Sequence, residues 1–176
     1  GVDRSNYVFG TIANGGDGYL YGAEVALQQQ LEPFAAAWGL PEWAGGFGLS
    51  ANATYNVSEA TKPDGAKVRL PGTSDYVYNV GAYYEKYDWS VRLNYQKRSK
   101  WLDTIGTPAD GGDTYWAADD EMDFSVRYAV NAGFEVYFDA SNLLDNPGRR
   151  YSGASPYSIE WERFGRRYTA GIRVQL

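Results

Sequence analysis

The sequence F-G-L-S-A-N-A-T-Y-N-V at residues 47–57 decides the fold of this chain. Its odd-numbered positions are apolar or aromatic, and its even-numbered positions are small or polar. Because successive side chains of a β-strand point to opposite faces, the alternation predicts a strand with one apolar and one polar face. The question it raises is whether the apolar face meets a protein core or a lipid bilayer.

The same period of two recurs along the chain and predicts seven strands. They occupy residues 19–29, 47–57, 76–85, 89–96, 122–130, 134–140 and 168–176. A weaker alternation at residues 7–11 predicts part of an eighth strand. We see no linker or low-complexity segment, so we predict one domain over residues 1–176.

The connections between these strands differ in length. Tight turns are predicted at residues 86–88 and 131–133, and long polar loops at 59–74, 100–120 and 142–165. Outer-membrane barrels have this arrangement, with short turns on one side of the membrane and long loops on the other. The link at residues 32–46 is longer than expected for a turn, and its Phe34–Trp38 run predicts a short helical turn.

Composition excludes several classes of function. The net charge is -6 and the pI is near 4.7, which argues against a nucleic-acid partner. The chain has no Cys and no His, so thiolate metal sites and His-based catalytic triads cannot form. We therefore expect that the chain is not an enzyme and that it holds no cofactor and no metal.

The polar face of the predicted strands favours a membrane barrel. It carries Gly, Ser, Asn, Thr and Gln with single charges, a mixture typical of a crowded wet interior rather than of a free surface. On the apolar face Tyr and Trp concentrate at strand ends, as side chains at a membrane–water interface do. A soluble β-sandwich or a lipocalin-type barrel, with the apolar face inward, is the alternative.

The last third of the chain carries family motifs. Asn142-Leu143-Leu144-Asp145 is followed by Tyr151, and Gly165-Arg166-Arg167-Tyr168 opens the last predicted strand. Leu70–Ser74 (L-P-G-T-S) and Gly18–Glu24 (G-Y-L-Y-G-A-E) precede or begin earlier strands. In this combination and order, the sequence resembles the C-terminal portion of the β-barrel of TonB-dependent outer-membrane receptors. Leu176 departs from the aromatic residue that usually ends an outer-membrane protein.

This resemblance implies an all-β fold, an antiparallel transmembrane β-barrel. Receptors of the family have barrels of about 22 strands. The chain would supply about the last eight strands, without the plug domain. The implied function is active import of a small-molecule ligand (a ferric siderophore, a vitamin or an oligosaccharide) across the Gram-negative outer membrane. The implied partners are outer-membrane lipid and the TonB energy-coupling complex. A small eight-stranded structural barrel and a soluble β-sandwich binding module remain alternatives.

Candidate ligand contacts are aromatic and acidic residues in the predicted long loops. They are Trp101, Tyr115, Trp116, Asp119, Tyr157 and Trp161. We expect the acidic run 119–121 to lie in a solvated loop rather than to bind a cation or sugar. We expect Glu135 and Asp139 to pair with Arg127 and Arg92 in the lumen. The charges at residues 160–167 predict ion pairs at the barrel rim.

Overall fold

Seven long antiparallel strands form the main sheet of the computed structural model, which describes residues 16–62, 64–106, 111–153 and 158–175. These strands are β1 (Gly18–Gln30), β2 (Phe47–Thr61), β4 (Tyr76–Lys86), β5 (Trp89–Arg98), β8 (Asp119–Asn131), β9 (Phe134–Ser141) and β12 (Arg167–Val174). They lie side by side in that order, and the short strand β3 (Lys67–Val68) pairs with the end of β2. The seven predicted strands are confirmed, whereas residues 7–11 and Leu176 lie outside the described residues.

The register aligns the apolar positions of all seven strands on one face. Leu49 pairs with Ala82, and Val80 pairs with both Ala51 and Tyr95. The alignment continues to the last strand, where Val136 pairs with Ile172. A slip of one residue would move a whole strand's apolar set to the other face, so the alternation excludes registers that are shifted by one residue.

This apolar face is uncovered. Leu49, Val80 and Ile172 are 48 %, 50 % and 59 % exposed, although they lie in the middle of their strands. Within the described residues no second sheet packs against them, which contradicts the β-sandwich alternative. In the same part of the chain β1 and β12 do not pair with each other, so no small closed barrel forms either.

The opposite face carries hydrogen bonds and ion pairs. Arg127 and Asp139 lie 3.2 Å apart, as predicted. The other predicted pairing is wrong, because Glu135 pairs with Arg173 of the neighbouring strand at 2.9 Å. Arg92 instead donates to Glu85 at 2.6 Å. Cross-strand pairs of this kind are typical of a polar face that is shared by adjacent strands.

Tyrosine rings on the polar face lie over glycines of the neighbouring strand. Tyr137 covers Gly171, its register partner, so closely that a Cβ added to the glycine would lie 2.6 Å from Cζ of the ring. Tyr83 covers its own register partner, Gly48, in the same way. Each glycine therefore provides the space that a ring fills.

One end of the sheet carries the tight turns at residues 87–88 and 132–133. The β1–β2 link lies at this same end and contains helix α1 (Glu32–Ala37) and a 3-10 helix (Glu42–Gly46). Helix α1 confirms the helical turn that was predicted there. None of the helices in the described segments has the length and apolar character needed to cross a membrane.

The opposite end carries a second sheet that sequence analysis missed. It consists of β6 (Trp101–Thr104), β7 (Thr114–Trp116), β10 (Gly148–Ser152) and β11 (Ser158–Glu162), in the spatial order β11-β10-β7-β6. We call it the loop sheet, because it is built from the connections after β5 and β9. The predicted long loops at 100–120 and 142–165 therefore contain short strands that sequence analysis did not predict.

Candidate functional site

A cavity of about 510 Å³ lies where the loop sheet meets the ends of β8 and β12. We call it the loop cavity. Its walls include two indole rings, three carboxylates and one guanidinium group, from Trp101, Trp116, Asp119, Asp120, Glu121 and Arg167. Arg149 also borders the cavity, but its guanidinium lies over the Tyr151 ring, 5.4 Å from the ring centroid. Concave sites that combine aromatic walls with a few convergent polar groups are the usual form of small-molecule binding sites.

The aromatic wall is a stack of two tryptophans. Trp101 of β6 and Trp116 of β7 are register partners, and their ring centroids lie 6.1 Å apart with an interplanar angle of 19°. The guanidinium of Arg98 lies 3.8 Å from the centroid of the Trp101 ring. Arg150, the register partner of Trp116 on its other side, lies 5.9 Å from the Trp116 ring. Cation–π contacts and ring stacking hold the wall in place.

The Leu70–Ser74 motif positions the first of these arginines. Arg98 donates from Nε to the hydroxyl of Ser74 at 2.6 Å and from Nη2 to the carbonyl of Gly72 at 2.6 Å. Gly72 adopts a φ of 76°, which glycine reaches without strain, and its amide donates to the carbonyl of Leu102. The motif therefore forms a turn that fixes Arg98 against the Trp101 ring.

Arg150 connects three strands of the loop sheet. It pairs with Asp103 of β6 at 3.2 Å and with Glu160 of β11 at 2.8 Å. Partial burial acts to raise the pKa of Asp103, but hydrogen bonds from Arg150 and Thr114 outweigh it and leave that pKa below its ordinary value. Asp103 therefore stays ionised and keeps β6 attached to β10.

The other face of the loop sheet is a small hydrophobic core. Leu102 is 1 % exposed and Tyr151 is 8 % exposed. Tyr115 stacks on Tyr151 with ring centroids 5.7 Å apart, and burial raises the pKa of the Tyr115 hydroxyl. The core lies away from the cavity, so Tyr115 supports the loop sheet from behind.

The Asn142-Leu143-Leu144-Asp145 motif forms a tight corner at the base of the cavity. Asn142 has a φ of 54°, and its Nδ2 donates to the carbonyl of Gly165 at 3.1 Å. Its Oδ1 accepts the amide of Asn146 at 3.3 Å. Arg163 pairs with Asp145 on the outside of the corner and lowers the pKa of that carboxyl. The motif therefore joins β9 to the segment that enters β12.

The acidic wall comes from the start of β8. Asp119 and Asp120 pair with Arg98 and Lys97 of β5 in the sheet register, so the expected solvated loop is wrong at these positions. Asn146 donates from Nδ2 to Asp119 at 3.0 Å and to Asp120 at 2.8 Å. The corner described above thus holds both carboxylates at the cavity wall.

The structure brings three of the six predicted contact residues together. Trp101, Trp116 and Asp119 line the loop cavity, whereas Tyr115 packs behind it. Trp161 lies on the outer strand of the loop sheet, 61 % exposed and outside the cavity lining, and Tyr157 lies outside the described residues.

Sequence reasoning missed several residues of the cavity. These are Asn142, Asn146, Arg149 and Phe164. Their proximity to the family motifs was the signal available. The motif Asn142–Asp145 and the motif Gly165–Tyr168 are far apart in sequence, but the hydrogen bond from Asn142 to Gly165 joins them at one wall.

The charges at residues 160–167 form ion pairs with neighbouring segments, as predicted. Glu160 pairs with Arg150 of the neighbouring strand, and Arg163 pairs with Asp145 of the corner. Arg166 donates from Nε to the carbonyl of Leu143 at 2.8 Å. The charges in this segment therefore attach the last loop to earlier parts of the chain.

Comparison with known proteins identifies the family. A family model described as "TonB dependent receptor-like, beta-barrel" matches residues 1–143. The chain belongs to the TonB-dependent receptor family. This receptor barrel is also similar to the crystal structure of the siderophore receptor PiuA from Acinetobacter baumannii, with a TM-score of 0.59 and 19% sequence identity. That match covers 89% of this chain and 22% of the PiuA chain. No curated protein sequence matches the chain.

The comparison settles the architecture of the main sheet. At this level of identity, the likeness to PiuA shows a shared fold, and together with the family match it makes the seven long strands part of a TonB-dependent receptor β-barrel. The uncovered apolar face is then the outer surface of the barrel wall, and the polar face is the lumenal surface.

Proposed function

We propose that this chain forms wall and extracellular loops of an outer-membrane transporter that imports a ferric siderophore. Energy would come from the TonB complex through a part of the receptor that precedes this segment. The observation that carries the proposal is the loop cavity at the end of the long connections, which is the extracellular end in outer-membrane barrels. The family membership and the structural similarity to PiuA, a siderophore receptor, support it.

The walls of the loop cavity suit a chelate with rings and charges. Trp101 and Trp116 offer apolar surface for the flat parts of a ligand. The guanidinium of Arg167 suits carboxylate, catecholate or hydroxamate oxygens, and Asp119 suits an amine or hydroxyl group. We propose that this site binds its ligand and takes no catalytic part.

Uptake of radiolabelled iron tests the proposal. The complete receptor, expressed in a strain that lacks it, should restore uptake of a ferric siderophore in the presence of TonB. Deletion of TonB should abolish uptake but leave surface binding. Uptake of a vitamin or an oligosaccharide, with none of any ferric chelate, would refute the ligand class while keeping the transport function.

Substitution in the cavity wall locates the binding site. We expect Trp116→Ala to weaken binding by about 1–2 kcal/mol, roughly five- to thirty-fold in Kd, because large rings carry much of the energy at binding sites. Ile159→Ala, in an exposed position of the same loop sheet outside the cavity, is the control and should keep the wild-type Kd. Equal Kd values for both variants would place the ligand elsewhere.

A further inference from the structure

The β1–β2 link at the tight-turn end has a composition that does not suit a water-exposed turn. In residues 31–46 the charged side chains are Glu32 and Glu42, and the remaining positions are apolar, Gly or Pro. Exposed turns are usually rich in Asn, Asp, Ser and Gly, because these residues hydrogen-bond their own backbone or accept left-handed conformations. The composition therefore suits an environment less polar than water. We call this segment, residues 31–46, the helical link.

The helical link exposes large apolar side chains. Trp38 is 72 % exposed and Trp43 is 54 % exposed, and Phe34 and Leu40 are exposed as well. Phe34 of α1 and Trp38, which directly follows the helix, have ring centroids 5.8 Å apart. A soluble protein rarely leaves such a cluster uncovered, so it marks an interaction surface.

Contacts with the barrel wall show on which side of the sheet the helical link lies. Trp43 packs edge-on against Phe47 with centroids 6.2 Å apart, and Phe47 packs against Tyr84 at 4.9 Å. Phe47 and Tyr84 are register partners in the outward, apolar row of their strands. The 3-10 helix therefore lies against the outer surface of the wall and not under the lumen.

A lysine ties the helical link to the wall at the same place. Lys86 belongs to the outward row of β4, and its ammonium donates to the carbonyl of Glu42 at 2.6 Å and pairs with the carboxylate at 3.2 Å. Its side chain is 21 % exposed, whereas that of Glu42 is 81 % exposed. A long basic side chain that buries its stem and keeps its charge at the edge is typical of a membrane interface.

The aromatic contacts of the helical link continue along the wall. Trp89, the register partner of Lys86, packs on Tyr128 with ring centroids 4.6 Å apart. Trp43, Phe47, Tyr84, Trp89 and Tyr128 thus follow the tight-turn edge of the outer surface across four strands. Such a row lies where the barrel leaves the hydrocarbon region.

We propose that the helical link is a membrane anchor that lies in the headgroup region of the phospholipid leaflet at the tight-turn end, with Trp38 and Trp43 inserted among the lipids. The inference rests on the outer-membrane location in the proposed function. Lipid is the occupant because the helical link is continuous with the lipid-facing wall. Short amphipathic segments of this kind bury their apolar face about 5–10 Å into the boundary between headgroups and acyl chains.

The absence of cysteine in this chain allows a direct test. Single cysteines are introduced into the complete receptor, with any cysteines outside this chain replaced, and are labelled with the fluorophore NBD. The receptor is reconstituted into phosphatidylcholine vesicles that contain 5-doxyl lipid, 12-doxyl lipid or no quencher. Labels are placed at Trp38→Cys and Trp43→Cys, at Val80→Cys in the middle of the wall, and at Ala132→Cys in the exposed β8–β9 turn at the same end.

The expected pattern separates the three environments. Labels at 38 and 43 should emit at shorter wavelength than the label at 132, and the shallow 5-doxyl lipid should quench them more strongly than the deep 12-doxyl lipid. The label at 80 should show the reverse order of quenching. The label at 132 should be quenched by aqueous cobalt and by neither lipid.

Two results would overturn the anchor. Quenching of labels 38 and 43 by cobalt alone would place the helical link in water, and protection from both cobalt and lipid would place it against another part of the receptor. If the label at 80 also escapes lipid quenching, the membrane location itself fails, which distinguishes failure of the proposed function from failure of the anchor.

A second variant tests the role of the rings. With the label at Leu40→Cys, replacement of Trp38 and Trp43 by Ser should reduce quenching by 5-doxyl lipid and raise quenching by cobalt. A label at Val80→Cys in the same double variant should keep its deep quenching, which shows that the barrel is still inserted. Unchanged shallow quenching at position 40 would show that the rings do not anchor the segment.

Discussion

The corner at Asn142 offers the sharpest test of how the loop cavity is built. Asn142 combines a left-handed backbone with two side-chain hydrogen bonds, to the carbonyl of Gly165 and from the amide of Asn146. Asn142→Ala removes both hydrogen bonds and leaves alanine, whose Cβ disfavours the left-handed region, at a positive φ. Asn142→Gly removes the same bonds but tolerates the backbone. The pair of variants therefore separates the two contributions.

The magnitudes follow from these contacts. Each neutral hydrogen bond contributes about 0.5–1.5 kcal/mol, so the two together contribute roughly 1–3 kcal/mol. The left-handed conformation costs an L-residue about 1–2 kcal/mol. We expect Asn142→Gly to destabilise the corner by about 1–3 kcal/mol and Asn142→Ala by about 2–5 kcal/mol.

Native-state hydrogen exchange measures local opening of this corner without unfolding the barrel. The amides of residues 143–146 should exchange about five- to thirty-fold faster in Asn142→Ala than in Asn142→Gly, which corresponds to about 1–2 kcal/mol. Amides near Val80, in the middle of the wall, serve as the internal control and should not change. Equal exchange in the two variants would show that the backbone conformation costs nothing, and wild-type exchange in both would refute the role of Asn142 altogether.

Three further predictions concern the loop end of the barrel. Trp161→Ala should weaken ligand binding less than Trp116→Ala, because Trp161 lies outside the loop cavity. A larger increase in Kd for Trp161→Ala than for Trp116→Ala would show that the loop cavity is not the binding site. The pairing with Arg163 lowers the pKa of Asp145 below its ordinary value of 3.8. The ion pair therefore stabilises the corner fully at pH values above 3.8, and this stabilisation is lost as the pH falls through the lower pKa of the folded state. The free energy of local opening, obtained from hydrogen exchange after correction for the intrinsic exchange rate at each pH, should therefore fall on acidification in the wild type but stay constant in Asp145→Asn. Parallel profiles in the two proteins would refute the pairing. Gly165→Ala should cost about 1 kcal/mol through its φ of 77° alone, since no atom of the described residues lies within 4 Å of an added Cβ. A thermal melt with no loss of stability would contradict this.

The main sheet was predictable because its signal is local and repeated. Each strand carries its own alternation. In the run at 47–57, a shift of one residue would move every apolar side chain to the polar face. The alternation then restricts the register to those that align the apolar rows, as the pairs of Val80 with Ala51 and Tyr95 do. The orientation of the faces followed from the residue types on the polar side.

The loop sheet was not predictable in the same way. Its strands, such as Thr114–Trp116, have three to five residues, too few for a period of two to stand out from a loop. What fixes them is contact between distant segments, such as Arg150 with Asp103 and Glu160. The same reason applies to Asp119, which belongs to β8 and has Arg98 of β5 as its register partner.

The contact of the Tyr137 ring with Gly171 helps to fix the register between β9 and β12, which hydrophobic alternation alone does not determine. A strand that slides by two residues keeps every apolar side chain on the correct face, so the lipid cannot distinguish that state from the native one. In the slid state the ring would meet Thr169 or Arg173 instead of glycine, and their side chains would occupy its space. The tyrosine ring therefore disfavours registers that are shifted by two residues, because only glycine leaves space for it, and this contact selects the native pairing of β12 with β9.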